Sequence, residues 1–371
     1  MNQTVIYVGE FILPDKGAAA NRVVSNAKAF NEAGYNTVFL GASDSKEHFE
    51  GIRRIPGTEN MYEEAHPESS MQWAKHIFST GSILRLVTEY NAGAVILYNL
   101  PVVTLLAVKL AFRGTKIRIM YDCTEWTAFT DGSLPKRLFK KFDEFFVRNF
   151  LHRFCGNIIV ISSMMQNKYK KCKNMILLPP LVDVKDSIWH QKKGRNDGIF
   201  EFCFAGVPDG NKESLDSIVT AFCKINDDKT RLRIIGVTKE HFVSLYPSLK
   251  NEAEDERIVF MGKLSHKETL EYVADCDCYI FIRPSDRRNN AGFPTKFAEG
   301  YTLGVPVIAT DISDISMYID GTRDVLLPDC SCTAVRNAME AKIKEGKTGM
   351  ADIRTTFDYR NYIDLCKNFL K

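Results

Sequence analysis

The sequence predicts an α/β chain of two doubly wound domains in tandem, each a parallel sheet covered by helices on both faces. Three observations predict it. The chain has 371 residues, and domains commonly run about 100–200 residues, so the length suits two. Short β-branched runs alternate with amphipathic stretches throughout, which is how βαβ units read. The alternation stops once, at Pro179-Pro180-Leu181-Val182-Asp183 and the polar stretch 190–198, and then resumes. Consecutive prolines continue neither a helix nor a central strand, so this break reads as a linker. The expected division is 1–180 and 181–356, with a terminal helix at about 357–371.

In the first domain the strands are expected at 4–8, 37–40, 95–98, 117–121, 158–161 and 176–178, with helices at 20–33, 73–90, 102–112 and 134–154. The strand runs are apolar without clean alternation, as in strands covered on both faces. In the second domain the strands are expected at 200–205, 232–236, 258–261, 279–282, 307–309 and 325–327. Its helices are expected at 214–225, 267–274 and 295–302, and a last helical stretch near 359–370 ends the chain.

Composition narrows the function classes. With 45% hydrophobic, 26% charged and 11% aromatic residues, the chain is not disordered. Lys+Arg number 49 against 46 Asp+Glu, a net +3, too little to argue for nucleic acid as a partner. Ten cysteines are scattered without a CxxC pair, and the two CxC pairs lack histidines at zinc-ligand spacing, so reduced buried thiols are expected. The start, MNQTVIYVGEF, has no basic region before its apolar run, and no run approaches the ~20 residues that span a bilayer. A cytoplasmic chain, peripheral on a membrane at most, is expected.

Three loops lie where strands run into helices. Loop 9–19 (GEFILPDKGAA) places Gly17 and small residues before a helix N-terminus, whose free N–H groups suit an anion. It lacks the GxGxxG pattern of dinucleotide sites, and a glycine turn with a small packing face is the competing reading. In 202–214 a strand ends at Gly206, and Asn211 and Lys212 precede the next helix. The third stretch runs from Arg283 through Asn290-Ala291-Gly292-Phe293-Pro294-Thr295-Lys296 to Glu299 and Gly304-Val305-Pro306-Val307-Ile308. Amides at Gly292 and Phe293 suit phosphates, and Glu299, one turn into its helix, suits ribose hydroxyls. Asp122 and Glu125 follow a strand end, where a carboxylate could orient or deprotonate a hydroxyl; helix capping or a turn is the alternative.

The third stretch resembles the donor-site signature of family 4 retaining GT-B glycosyltransferases: an E-x7-E element, then a small-Gly-x-Pro-Val-Ile tail. The lysine-led run 212–222, the strands at 231–236 and 258–262, and 272–285 resemble the same family. The first domain resembles it through the Gly17 loop and Ala33-Gly34-Tyr35-Asn36-Thr37-Val38. The resemblance implies a GT-B fold, two Rossmann-like domains with a cleft between them and the C-terminal helix at about 357–371 packed back on the first. It implies transfer of a sugar from a nucleotide diphosphate donor to a saccharide or lipid-linked acceptor, with retention, without metal or other cofactor, in bacterial polysaccharide or glycoconjugate synthesis. Carried over by position, Lys212 and the amides of Gly292–Thr295 would hold the diphosphate and Glu299 the ribose. The remaining donor-side candidates are Gly17, Gly206, Asn211, Arg283, Asn290, Phe293, Pro294 and Lys296. Asp122, Glu125 and Lys212 are the catalytic candidates.

Two departures stand out. The first Glu of E-x7-E falls on Ala291, with Asn290 the favoured substitute among Asp286, Asn289 and Asn290. The usual arginine after the strand glycine falls on Val207, leaving Arg283 or Lys296 to supply the charge. A nucleotide-sugar-binding protein without turnover, or a GT-B nucleotide-sugar epimerase, is the alternative these departures motivate. The pair Asp275-Cys276-Asp277 has the D-x-D pattern of metal-dependent sugar transferases, but sits at a helix–strand junction and reads as structural.

One segment is strongly basic. Residues 131–173 hold ten Lys+Arg and three Asp+Glu, a net +7. Within 134–154, Leu138, Phe139, Phe142, Phe145, Phe146 and Phe150 fall within about 140° of a helical arc, with Arg137, Lys140, Lys141, Arg148 and His152 largely opposite. This suits an anionic membrane surface. An ordinary domain helix whose aromatic face covers the sheet is the competing reading.

Overall fold

The computed structural model describes residues 3–126, 134–190, 194–208, 213–319, 321–347 and 352–371, Pro135 by its backbone alone. The chain forms two compact units: Met1–Val182 with Asp358–Lys371, and Asp183–Phe357.

The first unit begins β1 (Gln3–Gly9), α1 (Ala18–Glu32), β2 (Tyr35–Ala42), β3 (Ile52–Arg54) and β4 (Met61–Glu64). Helices α2 (Ser70–Phe78) and α3 (Gly81–Glu89) precede β5 (Ala92–Tyr98). Then come α4 (Val102–Ala111), β6 (Arg118–Cys123), α5 (Leu134–Phe154), β7 (Asn157–Val160), α6 (Ser163–Lys168) and β8 (Asn174–Leu177). The sheet order is β3-β4-β2-β1-β5-β6-β7-β8, parallel except for β3 against β4. Beyond Gln3, every β1 residue is buried, and Tyr7, Phe30, Phe39, Ile96 and Ile159 lie in the core. Chain order turns outward in both directions from β1 and β5, which makes their carboxyl ends the sheet's switch point.

Two expectations are corrected here. The stretch read as one helix over 73–90 is two: α2 starts at a Ser69–Gln72 capping box, and the chain turns extended at Ser79 before Gly81 opens α3. Strands β3 and β4 were not expected, because their short, polar sequences (IRR and MYEE) carry little strand signal. β3 is the sheet's edge strand and β4 its neighbour, where half-buried polar residues are common.

Helix α5 keeps its expected span, and of the two readings of its aromatic face the one that placed it on the sheet is corrected. The side docked on its own unit carries Asp143, Val147 and Leu151; Val147 and Leu151 are buried, and Asp143 Oδ1 accepts the Val102 N–H at 2.6 Å. These residues are four apart, one ridge of the helix. Leu134, Leu138, Phe142 and Phe145, on the opposite face, are 47–68% exposed. The aromatic stripe is therefore a surface feature, with Phe142, Phe145, Phe146 and Phe150 packed mainly on one another.

The second unit runs β9 (Phe200–Ala205), α7 (Leu215–Phe222), β10 (Thr230–Ile235), α8 (Lys239–Leu245), β11 (Ile258–Phe260) and α9 (His266–Asp275). It continues with β12 (Cys278–Phe281), α10 (Arg287–Ala291), α11 (Thr295–Thr302), β13 (Val307–Thr310), β14 (Val325–Leu327) and α12 (Cys332–Glu345). The order β11-β10-β9-β12-β13-β14 is fully parallel, the doubly wound pattern with its switch point between β9 and β12. Phe202, Phe204, Phe222, Ile234 and Ile280 are fully buried at its centre. The closing helix α13 (Ile363–Leu370) belongs to the first unit. There Asn174 Nδ2 donates to the Phe369 carbonyl at 3.1 Å, and the Tyr359 hydroxyl bonds Glu32.

Candidate functional site

At the carboxyl ends of β9 and β12 the second unit gathers two cations around one buried carboxylate. Glu213 is 5% exposed. Its Oε1 accepts from Arg283 at 2.7 Å and from Lys296 Nζ at 3.2 Å. Arg283 follows β12 and is fixed through its backbone, which exchanges hydrogen bonds with the Thr310 hydroxyl at 2.9 and 2.7 Å. Lys296 comes from the first turn of α11 and reaches Gly206, where a Cβ would sit 2.1 Å from Nζ. A side chain at 206 would displace that ammonium from its present position. Burial acts to raise the Glu213 carboxyl, but the Lys296 and Arg283 charges outweigh it and hold it below its ordinary value. Burial lowers the Lys296 ammonium, against the pull of Glu213. The trio carries a net +1, and the Arg283 Nε has no partner among the described residues.

Beside this trio stands Glu299, one turn along α11 from Lys296. His266 Nε2 meets Glu299 Oε1 at 2.9 Å, and the Glu299 side chain remains 20% exposed. Helix α11 sits close to β12 because Gly300 has no side chain: a Cβ there would lie 2.4 Å from the Tyr279 ring. The N–H groups of Thr295 and Lys296, first in the helix, have no acceptor within it.

The loop before α11 is built rather than loose. Asp286 caps α10 through the Asn289 N–H at 2.7 Å. Asn290 donates to the Asp286 carbonyl at 2.8 Å and to Ser285 at 3.1 Å, and accepts the Ser313 N–H at 2.9 Å. Its amide is thus committed to holding the loop. Ala291 is fully buried. The Gly292 carbonyl is bonded by Ser313, and the Phe293 ring packs in a cluster with Phe297, Tyr318 and Phe357. Pro294 is the N-cap of α11.

The remaining candidates divide. Asn211 and Lys212 lie outside the described residues. Gly17 is in the first unit at the N-cap of α1, with φ 91°, a conformation that favours glycine. Asp122 does not fit an acceptor-facing role. It is fully buried; Arg22 donates to both its oxygens at 2.9 and 3.2 Å, and the Tyr7 hydroxyl also bonds it. Glu125, three residues on, is exposed. Asp277 accepts the Glu201 N–H at 2.8 Å and Asp275 the Gly194 N–H at 3.2 Å. The D-x-D pair thus sits at the amino end of β12, away from the crevice.

Sequence reasoning missed Glu213 and His266. Glu213 stood unassigned beside Lys212, and His266 shows locally only as the residue after Ser265, which opens a capping box with Glu268. Their partners lie 70, 83 and 33 residues away, so the pairings belong to tertiary structure.

The whole chain superposes on solved structures of one architecture. A glycosyltransferase from Rickettsia africae matches with TM-score 0.69 at 12% identity, covering 100% of this chain and 99% of that one. The fold is GT-B. The Anabaena protein Alr3699/HepE, solved with UDP-glucose, matches with TM-score 0.65 at 11% identity, covering 99% of each chain. A Listeria monocytogenes protein, described as a putative UDP-N-acetylglucosamine 2-epimerase, matches with TM-score 0.60 at 10% identity, covering 98% of this chain and 94% of that one. At these identities the likeness speaks for the fold, and a fold alone does not fix the chemistry. Residues 200–345 match the family model described as glycosyl transferases group 1. No curated protein sequence matches the chain.

Proposed function

We propose that this GT-B chain is a glycosyltransferase that takes a nucleotide diphosphate sugar in its second unit. It passes the sugar to a saccharide or lipid-linked acceptor with retention, in bacterial polysaccharide or glycoconjugate synthesis. The observation that carries the reading is the Arg283–Glu213–Lys296 trio beside Glu299, inside the segment that matches the group 1 family model. As the glycosidic bond breaks, the leaving diphosphate gains negative charge. Arg283, Lys296 and the first N–H groups of α11 are fixed before that charge develops, so they stabilise it without reorganising. Lys212 adds a further cation in this reading. Glu299, steadied by His266, accepts the ribose hydroxyls. Charge neutralisation falls to these side chains, so the reading needs no metal. Asn290 keeps the loop in shape, and sugar recognition at the position of Ala291 falls to groups around it.

Calorimetry with a panel of nucleoside diphosphates and their sugars tests this. At least one binds, and Glu299→Ala weakens it about tenfold, the worth of a charge-assisted hydrogen bond. Unchanged affinity removes Glu299 from the donor site. Donor converted without acceptor supports the epimerase alternative, and binding without turnover on any acceptor supports the inactive one.

The exposed face of α5 supports a second element of this reading. Leu134, Leu138, Phe142 and Phe145 form an exposed apolar face, and Arg137, Lys140 and Lys141 are exposed on the rest of the helix, a pairing that suits anionic lipid. No described helix is long and apolar enough to cross a membrane. Charge reversal at Lys140 and Lys141 lowers sedimentation with anionic vesicles; a wild-type chain that never sediments with them overturns this element.

A further inference from the structure

The first unit has a crevice of its own, which the donor reading leaves unused. It has a volume of about 220 Å³ and lies outside the carboxyl ends of β1, β2, β4 and β5, walled by α2 and the start of α3. This is the switch point of the first sheet, where doubly wound folds take ligands. Asn99, at the end of β5, adopts φ 48° there, a conformation rare for a residue with a side chain.

The chemistry of the walls is specific. Leu40, Ile83 and Leu100 line the apolar part. Four titratable residues, Glu10, Glu64, His66 and His76, line the rest. His76 Nε2 meets Glu10 Oε1 at 2.7 Å, and Nδ1 lies 3.9 Å from Glu64 Oε2. The Ser82 hydroxyl donates to Glu64. These side chains remain 22–35% exposed, so each is open to a ligand. Trp73 stands edge-on between the His66 and His76 rings, 5.2 and 6.0 Å away. No lysine or arginine lines the crevice among the described residues. Two carboxylates, Glu10 and Glu64, face two histidines, His66 and His76, so the crevice is neutral to negative. It repels phosphate and carboxylate ligands and offers carboxylate acceptors to hydroxyl groups.

We propose that this crevice binds the terminal ring of an uncharged saccharide, as the acceptor side of the transfer proposed above. The acceptor role rests on that reading; the binding itself does not. Trp73 covers the apolar face of the ring, as an amphipathic aromatic does at low entropic cost. Glu10 and Glu64 accept from its hydroxyls, and His76 positions Glu10. The volume falls below the ~300–1,000 Å³ typical of drug-sized sites, room for one ring and not for a nucleotide sugar.

Saturation-transfer NMR on the full chain tests it, with methyl α-glucoside, methyl α-galactoside and methyl α-mannoside as neutral probes at millimolar concentration. Glucose 6-phosphate and galacturonate are the charged ones. At least one neutral glycoside shows transfer and both charged sugars show none. Trp73→Ala weakens the neutral probe about tenfold or more, equal to ~1.4 kcal/mol. No residue of α2 is buried, so this variant keeps its thermal midpoint. Glu10→Gln, on an exposed loop position, weakens it as well and serves as the second variant. Silence from all three neutral glycosides, stronger transfer to a charged sugar, or unchanged binding in both variants overturns the proposal. Nucleoside diphosphate binding, measured by calorimetry on the same variants, stays at the wild-type value. Loss of nucleotide binding in the wild type with glycoside binding intact would instead sink the donor reading and spare this crevice.

Discussion

The crevice at β9 and β12 and the crevice at β1 and β5 occupy the same place in two sheets wound alike, yet their side chains carry opposite character. In the second unit Glu213 ties down Arg283 and Lys296 and leaves a net +1. In the first, His76 stands between Glu10 and Glu64, with Trp73 beside it. Winding fixes where a ligand sits; the residues at the strand ends fix which ligand. A diphosphate suits the first-named crevice and an uncharged, hydroxyl-rich ring the second.

The comparison can be broken in three ways, taken from the largest effect down. Asp122 lies beneath the β1–β5 end, and its pairing with Arg22 makes it a structural residue. Asp122→Ala leaves the Arg22 charge buried and unpaired and costs about 3–5 kcal/mol, seen as a large drop in thermal midpoint. A variant that keeps its midpoint and loses only turnover would return Asp122 to the catalytic site. Next, Lys296→Ala leaves Glu213 paired with Arg283, so the unit stays folded. Nucleoside diphosphate affinity falls about tenfold to a hundredfold, the ~1.5–3 kcal/mol of hydrogen bonds to a charged group. Equal affinity would mean the trio is only structural. The smallest effect is electrostatic. The Glu10 hydrogen bond raises the His76 pKa above 6.5, against burial, with Glu10 and Glu64 charges adding to the rise. Its folded-state pKa exceeds the unfolded one, so this stabilisation is full below the unfolded value and is lost as pH rises through the folded one. An NMR titration of His76 shows the raised midpoint, and Glu10→Gln brings it back toward the ordinary range. An unshifted wild-type midpoint would separate His76 from Glu10.

The two units were not equally legible. Strands buried on both faces announce themselves as apolar runs, so β9 occupies its expected residues; β14, a short apolar run at the sheet edge, does too, and α11 likewise because Pro294 and Gly304 bracket it. The edge strand β3 and its neighbour β4 lack that signal. Helix α8, N-capped by Thr238, and helix α12, N-capped by Ser331, also went unread. For α5 the pattern disclosed an aromatic stripe but not its direction, because the docked ridge of Val147 and Leu151 is shorter than the exposed one. In the second crevice, Arg283, Lys296 and Glu299 were open to reading because they share one continuous stretch with the family pattern. Glu213 and His266 were not, and neither was any residue of the first-unit crevice. Glu10 follows β1, Glu64 ends β4, and Trp73 and His76 share α2, so only folding gives them a common wall.

The most direct test of the account is a paired titration. Nucleoside diphosphate affinity is measured by calorimetry for the wild type, Lys296→Ala and Trp73→Ala, all confirmed folded. The account predicts that a nucleoside diphosphate binds the wild type, that Lys296→Ala weakens it at least about tenfold, and that Trp73→Ala leaves it unchanged. Equal affinity in all three, or loss with Trp73→Ala alone, would contradict the assignment of the two crevices.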